Sequence, residues 1–132
     1  MSSATRSALL VVDVQNDFCP GGALAVPQGD RVVDPINRLL AAFAAAHAAV
    51  FASRDWHPLG SSHFVGQGGQ WPIHCVADTP GAAFHPQLLL PDGTAVITKG
   101  QSPDSDGYSA FDGTLPAGET LEAALDERRI DH

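Results

Sequence analysis

The sequence predicts an α/β fold built on a mostly parallel sheet. The first observation is a set of apolar runs of strand length. Ala8-Leu-Leu-Val-Val12 is continuous and reads as a central parallel strand, Ala48-Ala-Val-Phe-Ala52 as a buried strand, and Thr94-Ala-Val-Ile-Thr98 as a short β-rich one. The second is the segment Asp30 to His47, where Val33, Ile36, Leu39, Leu40 and Phe43 recur at helical spacing. That pattern is an amphipathic crossover helix joining the first two strands. The third is size: 132 residues with 44% hydrophobic content make at most one domain, with an ordinary core.

Composition excludes several partners. A formal charge of -8 argues against nucleic acid or an anionic membrane as a ligand. Met1 to Ser7 is short and polar, and no apolar run approaches membrane-spanning length, so neither a signal peptide nor an anchor is expected. Two cysteines, Cys19 and Cys75, are too few for a disulfide framework, which points to a reduced, cytoplasmic protein.

Taken in order, the first strand ends in Asp13-Val-Gln-Asn-Asp-Phe18. Ligands of open α/β sheets bind beyond the carboxyl ends of strands, so Asp13 stands where chemistry occurs, although an Asp there can equally shape a turn. Cys19-Pro-Gly-Gly is a turn or loop. In the helix that follows, Pro35 near the start is tolerated, and His47 at the end is set to interact with the helix dipole. The strand Ala48 to Ser53 leads into a stretch holding Asp55, His57, His63 and His74. The third strand ends in Lys99-Gly100, so Lys99, the only lysine, is placed like Asp13. Most lysines are solvated surface charges, which remains the plain alternative for this one. Gly118 to Arg129, with Leu121, Ala124, Leu125 and Arg128 at helical spacing, reads as a second helix.

The stretch between Asp55 and His74 suggests a metal site. In extended chain Asp55 and His57 point to the same side, and His63 and His74 return along a Gly-rich loop. A mixed oxygen and nitrogen set suits zinc, manganese or iron(II). Loop histidines are commonly surface residues and an Asp after a strand is commonly a cap, so spacing alone leaves both readings open.

The order of these residues adds a resemblance. Arg54-Asp-Trp-His-Pro, Ser62-His-Phe, Trp71-Pro-Ile-His-Cys-Val, the strand ending in Asp13-Val-Gln-Asn-Asp-Phe, and Val96-Ile-Thr-Lys-Gly with Tyr108-Ser-Ala-Phe111 downstream resemble the nicotinamidase branch of the isochorismatase-like cysteine hydrolases. The resemblance implies a three-layer fold with helices on both faces of the sheet and strand order 3-2-1-4-5-6. It implies a divalent metal ion (Zn, Mn or Fe) on Asp55, His57 and His74, with His63 matching a fourth, more variable ligand. Asp13 would be the catalytic base, paired with Lys99, and Phe18, Trp71 and Tyr108 would bind substrate. The implied substrate is nicotinamide, hydrolysed to nicotinate and ammonia in NAD salvage, with pyrazinamide a second candidate by shape.

The resemblance runs from Leu9 to His132, about the first two thirds of the family's length. The family's nucleophilic cysteine and the strand before it come later. Residues 1–132 are therefore expected to be a single truncated domain, with Leu9 to Val12 an exposed apolar edge and a C-terminal segment or a second copy as its partner. Two alternatives stand beside the hydrolase: an inactive metal-binding fragment or subunit, and a metal-activated water hydrolase using Asp13 as base.

Overall fold

The computed structural model describes residues 5–132. Strands β1 (Ala8–Val12), β2 (Ala49–Asp55) and β3 (Ala95–Lys99) form a parallel sheet in the order β1-β2-β3. Register sets Val12 beside Ser53, and Asp55 beside Lys99, so the carboxyl ends of all three strands meet on one rim. Helix α1 (Val33–Ala45) makes the crossover from β1 to β2, and α2 (Leu121–Glu127) follows β3.

Successive strand residues face opposite sides. On one side Val11, Val50 and Ala52 pack with Val33 and Leu40 of α1 and with Val14 and Leu88. On the other, Phe51, Ala95 and Ile97 pack with Leu121 and Ala124 of α2 and with Ala110 and Leu115. The result is the expected three-layer α/β arrangement with a helix on each face.

The element ends differ from the sequence reading in instructive ways. β2 runs through Asp55 instead of stopping at Ser53, because its polar last residues find partners within the protein. The crossover helix begins as a 3-10 turn, Gly29–Val32, and becomes α-helical only at Val33. His47 closes α1 through its backbone: it takes φ 53, and the Ala48 and His47 amides donate to the Phe43 and Ala44 carbonyls. Its ring is exposed. α2 is shorter than Gly118 to Arg129, starting after a Thr120 cap whose hydroxyl accepts from the Ala123 amide.

β1 pairs only with β2 among the described residues, and Leu10 and Val12 are 37% and 56% exposed. Both lie on the α2 face, where Ala8 is the β1 residue that packs against the cluster under α2. No helix of the described residues is long and apolar enough to cross a membrane.

Candidate active site

The site is built from the strand-end rim and the loop above it. Asp13 leaves β1 in the left-handed region (φ 56), and its Oδ1 accepts a hydrogen bond from Ser53 Oγ at 2.7 Å. Lys99, almost fully buried, donates from Nζ to Asp13 Oδ2 at 2.8 Å and to Asp55 Oδ1 at 2.5 Å. Burial works against the Lys99 ammonium, but the two carboxylates outweigh it and hold its pKa above the ordinary lysine value. Burial likewise opposes ionisation of Asp55, yet the neighbouring His57 ring and the ammonium hold its pKa below the usual carboxylate range. Lys99 is therefore a fixed cation between two anions.

Asp55 faces two ways. Its Oδ2 lies 3.7 Å from His57 Nε2 and 3.9 Å from His74 Nε2. His57, His63 and His74, all buried, place one ring nitrogen each within 4.8 Å of one another. The opposite ring nitrogens are all occupied. His57 Nδ1 meets the Gly100 carbonyl at 3.2 Å, His74 Nδ1 the Pro72 carbonyl at 2.7 Å, and His63 Nδ1 the Asp106 carboxylate at 2.7 Å. These oxygens accept, so in the neutral ring each Nδ1 carries the proton and each Nε2 presents a lone pair to the cluster.

The cluster fits a divalent cation. His57 Nε2 is buried without a hydrogen-bond partner among the described residues, a state that costs about 1–3 kcal/mol unless something binds it. Burial pushes the His74 pKa down, so its imidazole is neutral and available as a ligand. Three imidazoles and one carboxylate oxygen form a donor set suited to zinc and its neighbours.

Backbone contacts hold this loop in place of regular structure. His57 pairs with Val76 as an isolated parallel bridge, which brings His74 alongside. Asp17 Oδ2 accepts from the Cys75 amide at 2.7 Å and Oδ1 from the Ala23 amide at 3.1 Å, tying the His74 loop to the end of β1.

A cavity of about 180 Å³ opens beside both groups, lined by Asp13, Phe18, Leu24, Asp55, His63, Trp71, His74, Lys99 and Tyr108. Of the residues singled out in the sequence, only His57 stands outside its lining, fully buried behind the others. Trp71 and Tyr108 form one wall, with Trp71 Nε1 donating to the Tyr108 hydroxyl at 2.9 Å. The Phe18 ring sits 5.7 Å from the His74 ring.

Several contributors escaped the sequence reading. Gln15 is fully buried; its side-chain amide donates to the Asp55 and Ala82 carbonyls, each at 2.8 Å, and accepts from the Asp55 amide at 2.9 Å. β1 has already turned away at Asp13, so this side chain continues the ladder beside β2 to its last residue. Gly100 (φ 73) is required by contact: a Cβ there would lie 2.5 Å from His57 Cε1. Neither cysteine is a thiolate. Burial and then Asp30 raise the pKa of Cys19, and burial followed by the Asp55, Asp17 and Asp13 charges raises that of fully buried Cys75 far above the usual range.

Residues 7–132 match the isochorismatase domain. The chain belongs to the isochorismatase family. Within that family it is 43% identical to a nicotinamidase of Escherichia coli over 95% of this chain and 64% of that protein. It is 42% identical to a nicotinamidase/pyrazinamidase of Mycobacterium tuberculosis, over 94% of this chain and 67% of the relative. The pyrazinamidase of Pyrococcus horikoshii, solved in complex with zinc, superposes with a TM-score of 0.87 at 40% identity, covering 96% of this chain and 67% of that one. The chain thus spans about two thirds of the length of these isochorismatase-family relatives. The three histidines here are placed so that they could hold a metal ion.

Proposed function

We propose that residues 1–132 form the metal-binding and base-bearing part of a nicotinamidase, which hydrolyses nicotinamide to nicotinate and ammonia. The observation that carries the reading is Lys99, buried between Asp13 and Asp55 at the rim of a pocket that the histidine cluster also lines. The names of the relatives support the substrate, as does the nicotinate held by the Leishmania infantum relative, 36% identical with a TM-score of 0.82.

In this reading Asp13 takes the proton of an attacking thiol and passes it to the departing ammonia, while the Lys99 ammonium favours the thiolate. The thiol attacks the carboxamide carbon, the C–N bond breaks, and water cleaves the resulting thioester to nicotinate. The thiol belongs to neither Cys19 nor Cys75, both of which are buried and hard to ionise. Trp71, Tyr108 and Phe18 enclose the pyridine ring. Asp55, His57, His63 and His74 hold the metal ion, zinc being favoured by the imidazole-rich set. When bound, the ion supplies a Lewis-acidic point that orients the ring nitrogen, directly or through water. A cytoplasmic setting goes with the reading, since both cysteines are free thiols.

The test is ammonia release from nicotinamide by the zinc-loaded protein, alone and co-expressed with the C-terminal third of the Pyrococcus horikoshii relative. Release that needs the added segment and disappears in Lys99→Ala supports the reading. Release by the protein alone that survives replacement of both Cys19 and Cys75 points instead to a metal-water hydrolase. No release under either condition overturns the proposal.

A further inference from the structure

The segment 100–108 crosses from β3 to the turn at Ala110–Asp112 and is tied down mainly by the histidine loop. The Gly100 carbonyl meets His57 Nδ1 at 3.2 Å, the Pro103 carbonyl accepts from the Ser62 amide at 2.8 Å, Asp106 Oδ1 accepts from His63 Nδ1 at 2.7 Å, and the Tyr108 hydroxyl accepts from Trp71 Nε1 at 2.9 Å. Two of these ties end on imidazole rings whose other nitrogen faces the cation cluster. The same strap carries Tyr108, whose ring stands edge-on to His63 with centroids 5.5 Å apart.

We propose that Asp106 is a positioning residue that couples cation binding at His63 to the seating of the 100–108 strap, and through it of the Tyr108 wall. Its carboxylate fixes His63 with the proton on Nδ1 and the lone pair of Nε2 directed at the cluster. A cation on Nε2 withdraws electron density from the ring, which makes Nδ1–H a stronger donor and tightens the bond to Asp106. Coupling is reciprocal, so a seated strap also strengthens cation binding. Asp106 is more than half exposed, and among the described residues its side chain has no other hydrogen-bond partner, so its contact with His63 is not a by-product of core packing. Asp104, two residues earlier, carries the same charge on the same strap without touching a ring. The inference rests on reading His63 as a cation ligand and is independent of the reaction.

Calorimetric titration of the metal-free protein with zinc(II), beside Asp106→Ala, Asp106→Asn and Asp104→Ala, tests it. Removing such a ligand partner weakens metal binding about 10–100-fold, and that loss is expected for Asp106→Ala. Asp106→Asn keeps an acceptor oxygen without the charge and should rescue affinity to within about threefold of the parent. Asp104→Ala should bind as the parent does. Hydrogen exchange in segment 100–108 should slow on zinc addition in the parent and not in Asp106→Ala. Equal zinc affinity in Asp106→Ala and Asp104→Ala, or a strap whose exchange ignores zinc, overturns the proposal. An ammonia assay on the same samples reads the reaction separately: its failure beside the expected zinc titration strikes at the proposed substrate alone.

Discussion

Two halves of one site are positioned by different means. Asp13, Asp55 and Lys99 are placed by strands: register alone puts Asp55 beside Lys99 and ends β1 one residue before Asp13. His57, His63 and His74 are placed by loops, through isolated bridges, backbone carbonyls and one carboxylate. The strand-end trio is electrostatically closed, with its cation and anions already paired. The histidine cluster is open, with a buried ring nitrogen, His57 Nε2, that no group among the described residues satisfies. The contrast is electrostatic: the closed group balances its own charges, while the open group brings three imidazoles together with no cation of the described residues between them.

That contrast can be broken at its strand end first. Lys99→Met removes the cation and leaves two facing carboxylates, so urea denaturation should show a loss of about 3–5 kcal/mol. Equal stability would mean that the trio is not a paired unit. Gln15→Leu should come next: it strands the Asp55 amide and carbonyl, at about 1–3 kcal/mol for each buried group left unsatisfied. It should also weaken zinc binding, because Asp55 serves both halves. A stable variant with parental zinc affinity would show that strand pairing alone holds Asp55.

On the loop side, zinc at about a hundred times its dissociation constant should raise stability by about 2.7 kcal/mol. Lys99→Met should retain most of that increment if the halves are separable, and His57→Ala should lose it. The smallest effect is that of acid on the metal-free protein. His74 has its pKa depressed by burial below the usual 6.5, so the unfolded chain takes up the proton more readily. This contribution is fully present above pH 6.5 and is lost as pH falls from there toward the lowered folded value. Denaturation midpoints between pH 7.5 and 5.5 should fall less in His74→Asn than in the parent.

Legibility followed the same division. The three strands, the crossover helix and the places of Asp13 and Lys99 could be read because apolar runs and helical spacing are local patterns. The missed parts were polar and distant. Gln15 stood in the motif after the first strand with no role of its own, yet it reaches Asp55, 40 positions away; Asp106 reaches His63 across 43. The extension of β2 to Asp55 was hidden for the same reason, since Arg54 and Asp55 carry no apolar signal.

The sequence by itself determined the strands, the two helices and the carboxyl-end location of the charged residues, because burial of apolar side chains follows a period that a short window contains; the helix over each face was implied by the family resemblance. Tertiary structure alone decided that Lys99 bridges two carboxylates, that each Nδ1 is anchored so that Nε2 is free, and that the 100–108 strap closes over the histidine loop. Those outcomes depend on hydrogen bonds between groups far apart in the chain, which have no direction until the sheet has set the distances between them.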